Sequence, residues 1–168
     1  MDFIVVSTPM KLCLHARVKR FKAMREAMGM AVSSTKTISG FKVHIATNAE
    51  GTIAVNFCFS NESTHDVCFL EVLLENCTGS AIGDSNYISQ EKTNRLIQKN
   101  LKFVAKKRKN MEIQNAKEEK QKLKIRHRIE NFNQKLKKLV GEDFSRFRVL
   151  ASAKAVIAIA ILAINLGF

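Results

Sequence analysis

Two acidic residues in this 168-residue chain stand where carboxylates can do chemistry. Asp84 lies in SAIGDSNYIS, which reads as a short strand running into a turn. That puts the carboxylate at the strand's carboxyl end, where ligands and metals gather in α/β folds. Glu130 lies in the segment 116–139, whose Ile125, Ile129, Phe132, Leu136 and Leu139 make one apolar stripe of a long helix. Carboxylates drawn from strand ends and a helix are hard oxygen donors suited to Mg²⁺. Two such ions roughly 3.5 to 4 Å apart promote phosphoryl transfer by activating the attacking oxygen and stabilising the leaving one. Both residues also have plainer uses. Asp84 can bond turn amides, and Glu130, four residues after Arg126, can form a helix-surface ion pair worth about 0.2 to 0.5 kcal/mol.

The charge distribution adds a polyanionic partner. Residues 92–138 hold 17 of the 28 Lys and Arg but only 4 of the 15 Asp and Glu, so this segment carries the whole formal charge of +13. A surplus confined to one region points to nucleic acid ahead of an anionic membrane surface. Its densest run, Lys106-Lys107-Arg108-Lys109-Asn110, follows a predicted strand, and Lys135, Lys137 and Lys138 extend the positive face along the Glu130 helix. Phosphate contacts of this kind carry no base information.

At 46% hydrophobic residues and one Pro, the chain can bury one sizeable core. The first half is strand-rich. Phe3-Ile4-Val5-Val6 reads as a buried strand ending at the turn Ser7-Thr8-Pro9, and residues 10–39 read as a basic insertion between strands. FKVHIAT sets Phe41, Val43 and Ile45 against Lys42 and His44, while TIAVNFCFS sets Ile53, Val55, Phe57 and Phe59 against Ala54, Asn56 and Cys58. Asn48-Ala49-Glu50-Gly51 joins these two strands as a hairpin. Residues 64–76 read as a helix capped by Ser63 and Asp66, SQEKTNRLIQKN as a helix and LKFVAKK as a strand. The tail's unbroken apolar run, Ala155 to Ile164, is ten residues long, well short of the roughly 20 needed to span hydrocarbon. It is expected to be a buried helix on a sheet, with no membrane partner. No Cys-x-x-Cys pair and no signal peptide is present, as expected of a reducing cytoplasm, and the pair Cys13-x-His15 is read as ordinary side chains near a turn.

Three strands with a hairpin, then helix, strand, helix, strand and helix, is the order of a ribonuclease H-like domain, a mixed sheet flanked by helices. The motifs carry a narrower resemblance, running from about residue 3 to residue 165. GFKVH, residues 40–44, and GDSNY, residues 83–87, resemble stretches of the catalytic domain of bacterial insertion-sequence DDE transposases. Arg126, Glu130 and Lys137 fall at the spacings of those transposases' helix motif, with Leu123 where a Tyr is usual. The resemblance implies DNA transposition, that is, cleavage and joining of DNA strands with Mg²⁺ or Mn²⁺. It makes Asp84 and Glu130 two of three metal-holding carboxylates, and DNA the partner of Lys106, Lys107, Arg108, Lys109, Arg126 and Lys137. A homo-oligomer is compatible with it.

The family's first strand typically reads Val-Asp-Ser-Thr-Pro, and its Asp falls on Val6. Asp2 shares that strand face but stands four residues away, about 13 Å at roughly 3.3 Å per residue, too far for a ligand bond near 2 Å. The resemblance further implies a helical DNA-recognising region ahead of a strand that here begins at residue 3. The expectation is a truncated and impaired copy with little or no strand-transfer activity. The alternative is a non-catalytic basic module that binds nucleic acid.

Overall fold

The computed structural model describes residues 1–14, 29–32, 37–111, 114–141, 147 and 149–168. His15 and most of the expected insertion lie outside them. The elements are β1 (Asp2–Leu14), β2 (Gly29–Val32), β3 (Thr37–Asn48), β4 (Ala54–Asn61), a 3₁₀ turn (Asp66–Phe69) continuing into α1 (Leu70–Leu73), β5 (Gly79–Gly83), α2 (Gln90–Gln98), β6 (Leu101–Ala105), α3 (Lys117–Leu123), α4 (Arg128–Val140) and α5 (Leu150–Asn165). The six-stranded sheet runs β2-β3-β1-β5-β6, with β4 also paired to β3. β5 is parallel to both β1 and β6, and β2 is antiparallel to β3.

The chain divides into two compact units. The first holds Met1–Val6, His44–Cys58 and His65–Phe132; the second holds Ser7–Val43, Phe59–Thr64 and Asn133–Phe168. In the first, Phe3, Val5, Ala46, Leu70, Leu73, Tyr87, Leu96, Leu101 and Phe103 form one buried cluster, against which Cys58 and Cys77 pack. Burial pushes the Cys58 thiol up to about 11, which suits a small apolar filler and not a nucleophile. In the second, the Phe41 and Phe59 rings lie 6.1 Å apart, and the Lys154 ammonium of α5 sits 5.3 Å from the Phe59 ring centre.

Several elements depart from the sequence reading. β1 does not stop at Ser7-Thr8-Pro9 but continues to Leu14, so residues 10–14 belong to a strand and the insertion is shorter than 10–39. β5 ends at Gly83, leaving the later part of β1 without that neighbour, and a proline nitrogen is tolerated where no ladder partner is required. On β4 the expected alternation is not kept: Ala54 is buried, Val55 and the preceding Ile53 are about half exposed, and Asn56, Phe57, Cys58 and Phe59 are all half-buried. Apolar residues stand in both rows, so periodicity could not choose one. His44, expected on the outer row of β3, is fully buried.

The helix 64–76 is shorter, and its first turn is preceded by His65 with no side-chain cap; the Ser63 hydroxyl instead bonds Asn61, and Asp66 is buried. The long helix 116–139 is interrupted by a 3₁₀ turn, Lys124–His127. That changes the helical phase, so Ile129, Phe132, Leu136 and Val140 are buried while Leu139 is exposed. α5 buries Ala153, Ile157, Ala160, Ile161 and Ile164 and exposes Ile159 and Leu162. No described helix is long and apolar enough to cross a membrane.

The hairpin forms as expected. The Asn48 amide donates to Ile53 O at 3.0 Å, and its side-chain oxygen accepts from the amides of Thr52 and Ile53. Gly51 turns with φ 67°, and a Cβ there would stand 2.6 Å from the Arg128 carbonyl oxygen at the start of α4. Only glycine allows that conformation and that approach together.

Candidate functional site

β5 is short and buried from Ser80 to Gly83, and it ends because Asp84 turns the chain. The Asp84 carboxylate accepts from the Ser85 amide at 2.8 Å and caps the 3₁₀ turn Ser85–Tyr87. The turn-amide use read from sequence is therefore present, and it leaves the second carboxylate oxygen for other work.

Parallel pairing aligns Asp2 with Ser80, Phe3 with Ala81 and Ile4 with Ile82. The pairs end there; Val6 lies two residues past Ile4 and Asp84 two residues past Ile82, so both follow the carboxyl ends of the paired segments. Phe3, Val5 and Ala81 belong to the cluster on one sheet face, so Ile4, Val6, Ser80 and Ile82 point to the other. α3 lies on that second face, because Lys122 Nζ donates to Ser80 Oγ at 3.2 Å while Ser80 itself bonds the Asp2 carboxylate. Asp2 is thus occupied at the far end of the strand. Glu130 stands exposed on the first turn of α4.

The three-carboxylate set that the resemblance implies would take an oxygen from position 6. Val6 offers only hydrocarbon, and among the described residues no three His, Cys, Asp or Glu side chains group as a metal site. The residues present do not fit that donor set.

The basic loop after β6 reaches the Asp84 turn directly. The Lys106 amide donates to Gly83 O at 3.0 Å, Arg108 Nε to Ser85 Oγ at 3.4 Å and Arg108 Nη2 to Asn86 Oδ1 at 3.2 Å. Of the expected DNA-contacting residues, Lys106, Lys107 and Arg126 line one cavity of about 370 Å³. Lys109 is exposed on the same loop, and Lys137 lines a separate cavity with Gln134, Lys138 and Gly141.

Sequence reasoning missed two groups. Asn115 is buried and ties the loop to α3: its oxygen accepts from the Lys107 amide at 2.9 Å, and its amide donates to Ala105 O and Glu119 Oε2 at 3.0 Å each. The Asn115 hydrogen bond holds the Glu119 carboxyl below the usual range, partly opposed by burial and assisted by the Ala116 amide and by Lys107 and Lys102. Nothing in sequence marks Asn115 for this. Second, His44 Nδ1 and the Tyr87 hydroxyl meet at 3.2 Å, both fully buried, with the His44 ring stacked on Phe69. This bond joins the GFKVH and GDSNY stretches, so the spacing between those motifs is set by a buried polar pair.

A family model described as transposase DDE domain matches residues 2–150. No curated protein matches the chain. Among solved structures, the fold is similar to that of a piggyBac transposase determined by cryo-EM as a synaptic complex with hairpin DNA, with TM-score 0.68 and 10% identity over 98% of this chain and 45% of that one. The chain therefore spans under half the length of that transposase, and at this identity the likeness shows the fold, a ribonuclease H-like mixed sheet flanked by helices. With the family model covering nearly the whole described sheet, the chain belongs to the transposase DDE domain family.

Proposed function

We propose that this chain is the DNA-transposition domain of a transposase that grips DNA beside Asp84 and is impaired in strand cleavage and joining. Asp84 and Glu130 are its two remaining catalytic carboxylates, and Val6 stands in place of the first. The observation that supports this reading is the parallel β1–β5 pairing, which runs both strands toward the end where Val6 and Asp84 follow. The family implies use of a divalent metal, Mg²⁺ or Mn²⁺, but the ligand set here is one carboxylate short. Loss of that ligand does not touch DNA binding, because the cations of the Lys106–Asn110 loop and Arg126 are separate from it. The purely non-catalytic alternative is less favoured, since the matched family is one of transposase domains and the match runs over residues 2–150. The domain acts in the bacterial cytoplasm, consistent with three free cysteines among the described residues, and a homo-oligomer fits the same reading.

The test is salt dependence. If the loop meets backbone phosphates, log affinity for duplex DNA falls linearly with log salt, by about 0.9 per phosphate contacted. Replacing Lys106, Lys107, Arg108 and Lys109 with Ala should flatten that slope. An unchanged slope would put the DNA contacts elsewhere and overturn the assignment.

A further inference from the structure

The cavity between the loop after β6 and the α3 turn is more than part of a positive face. Lys106, Lys107, Lys120, Lys124, Arg126 and His127 line it together with Gln114, Asn115 and Leu123, and among the described residues no acidic side chain does. We infer that this cavity is a binding site for a free, compact phosphate chain bearing three or more negative charges, such as tripolyphosphate or the phosphate chain of a nucleoside triphosphate.

The first argument is shape. A concavity of about 370 Å³ is near the lower end of small-ligand pockets, about 300 to 1,000 Å³. Duplex DNA instead spreads its charge along a rod, one per about 1.7 Å of axis, and presents only an edge to such a hollow. A phosphate chain concentrates its charges within a few ångströms and can meet cations from both walls at once.

The second argument is preorganisation. The walls are held by the protein itself: Asn115 bonds Lys107 on the loop and Glu119 on α3, and the Ala116 amide donates to Glu119 at 3.2 Å. The cationic walls therefore do not have to be assembled by the ligand, which lowers the cost of binding.

The third is electrostatic. Lys92 and Arg95 pair with Glu71 and Glu91, whereas Lys106, Lys120, Lys124 and Arg126 enter no ion pair among the described residues. Like charges gathered in a hollow with low-dielectric walls focus the field and attract a multivalent counter-ion. Lys106, Lys107 and Arg126 also belong to the proposed DNA face, so an anion seated here would compete with DNA for them.

The experiment titrates sodium tripolyphosphate and ATP calorimetrically, at fixed ionic strength, into the full chain, into Lys120→Ala/Lys124→Ala and into Lys135→Ala/Lys138→Ala. All four lysines are exposed, so each variant should fold, which thermal melts verify. The inference expects both ligands to bind the parent, with about tenfold weaker binding in the cavity variant, as for two lost charge contacts of about 0.7 kcal/mol each, and little change in the α4 control. Equal weakening in both variants means diffuse charge attraction and overturns the site. Absence of tripolyphosphate binding, or a cavity variant that weakens only an oligonucleotide, also overturns it. Failure of the DNA reading is separately visible, because that reading is tested by the salt slope of the loop substitution with duplex DNA.

Discussion

Restoring a carboxylate at position 6 tests the site most directly. Val6 is half-buried and, like Asp84, lies two residues past the last β1–β5 pair; at the spacing of paired strands, Val6→Asp would set two like charges about 5 Å apart. Their repulsion is about 3 kcal/mol at an effective dielectric constant of 20 and about 1 kcal/mol in bulk water. Desolvation of the new carboxylate adds to it. Without metal, the variant should therefore be less stable than the parent by about 1 to 3 kcal/mol, or some 2 to 12 °C in Tm for a chain of this size. With metal the order of responses reverses. An ion that binds only the folded state at 100 times its Kd stabilises it by about 2.7 kcal/mol, and the rebuilt set should gain this while the parent gains much less. Thermal melts of the parent, Val6→Asp and Val6→Asp/Glu130→Gln across a Mn²⁺ titration separate the cases. The double variant should lose most of the metal-dependent gain. If Val6→Asp gains no more from Mn²⁺ than the parent, position 6 is not the vacant ligand site, and the account of an impaired transposase loses its residue-level basis.

Two further outcomes follow from the buried and half-buried polar contacts. Tyr87→Phe removes the hydroxyl that His44 meets in the core and should cost about 1 to 3 kcal/mol in urea melts; a cost near zero would mean that the bond does not hold the two motif stretches together. Glu119 has a depressed folded pKa, so its contribution is present above its unfolded pKa and is lost as pH falls through the folded value. Glu119→Gln should therefore be less stable than the parent at neutral pH, by under about 1 kcal/mol for a half-buried group that solvent still screens, and the difference should close on acidification. A difference that widens toward low pH would refute that assignment.

The β3 strand and its hairpin, the GD turn, the helix in SQEKTNRLIQKN and the local density of lysines are properties of short stretches. Each depends on period, turn chemistry or charge counted along the chain, and the structure shows the elements where those features lie. The course of β1 past Pro9 was not legible, because a proline's cost depends on whether a neighbouring strand needs its missing N–H. The burial of β4 was not legible either, since apolar residues stand in both of its rows and Asn56 to Phe59 are half-buried alike.

The site divides in the same way. The sequence by itself determined that position 6 carries hydrocarbon where the resembled family carries Asp, that Asp84 ends a strand, and that the positive charge lies in residues 92–138. Residue identity is local, and no packing alters it. Only the tertiary structure decided that β1 and β5 run parallel toward Val6 and Asp84, that Arg108 bonds the Asp84 turn, and that the cations of a loop and a helix turn line one hollow beside Asn115. Those relations join residues from 8 to 78 positions apart. Strand register and hydrogen bonding across the sheet set them, and neither is written in any window of the chain.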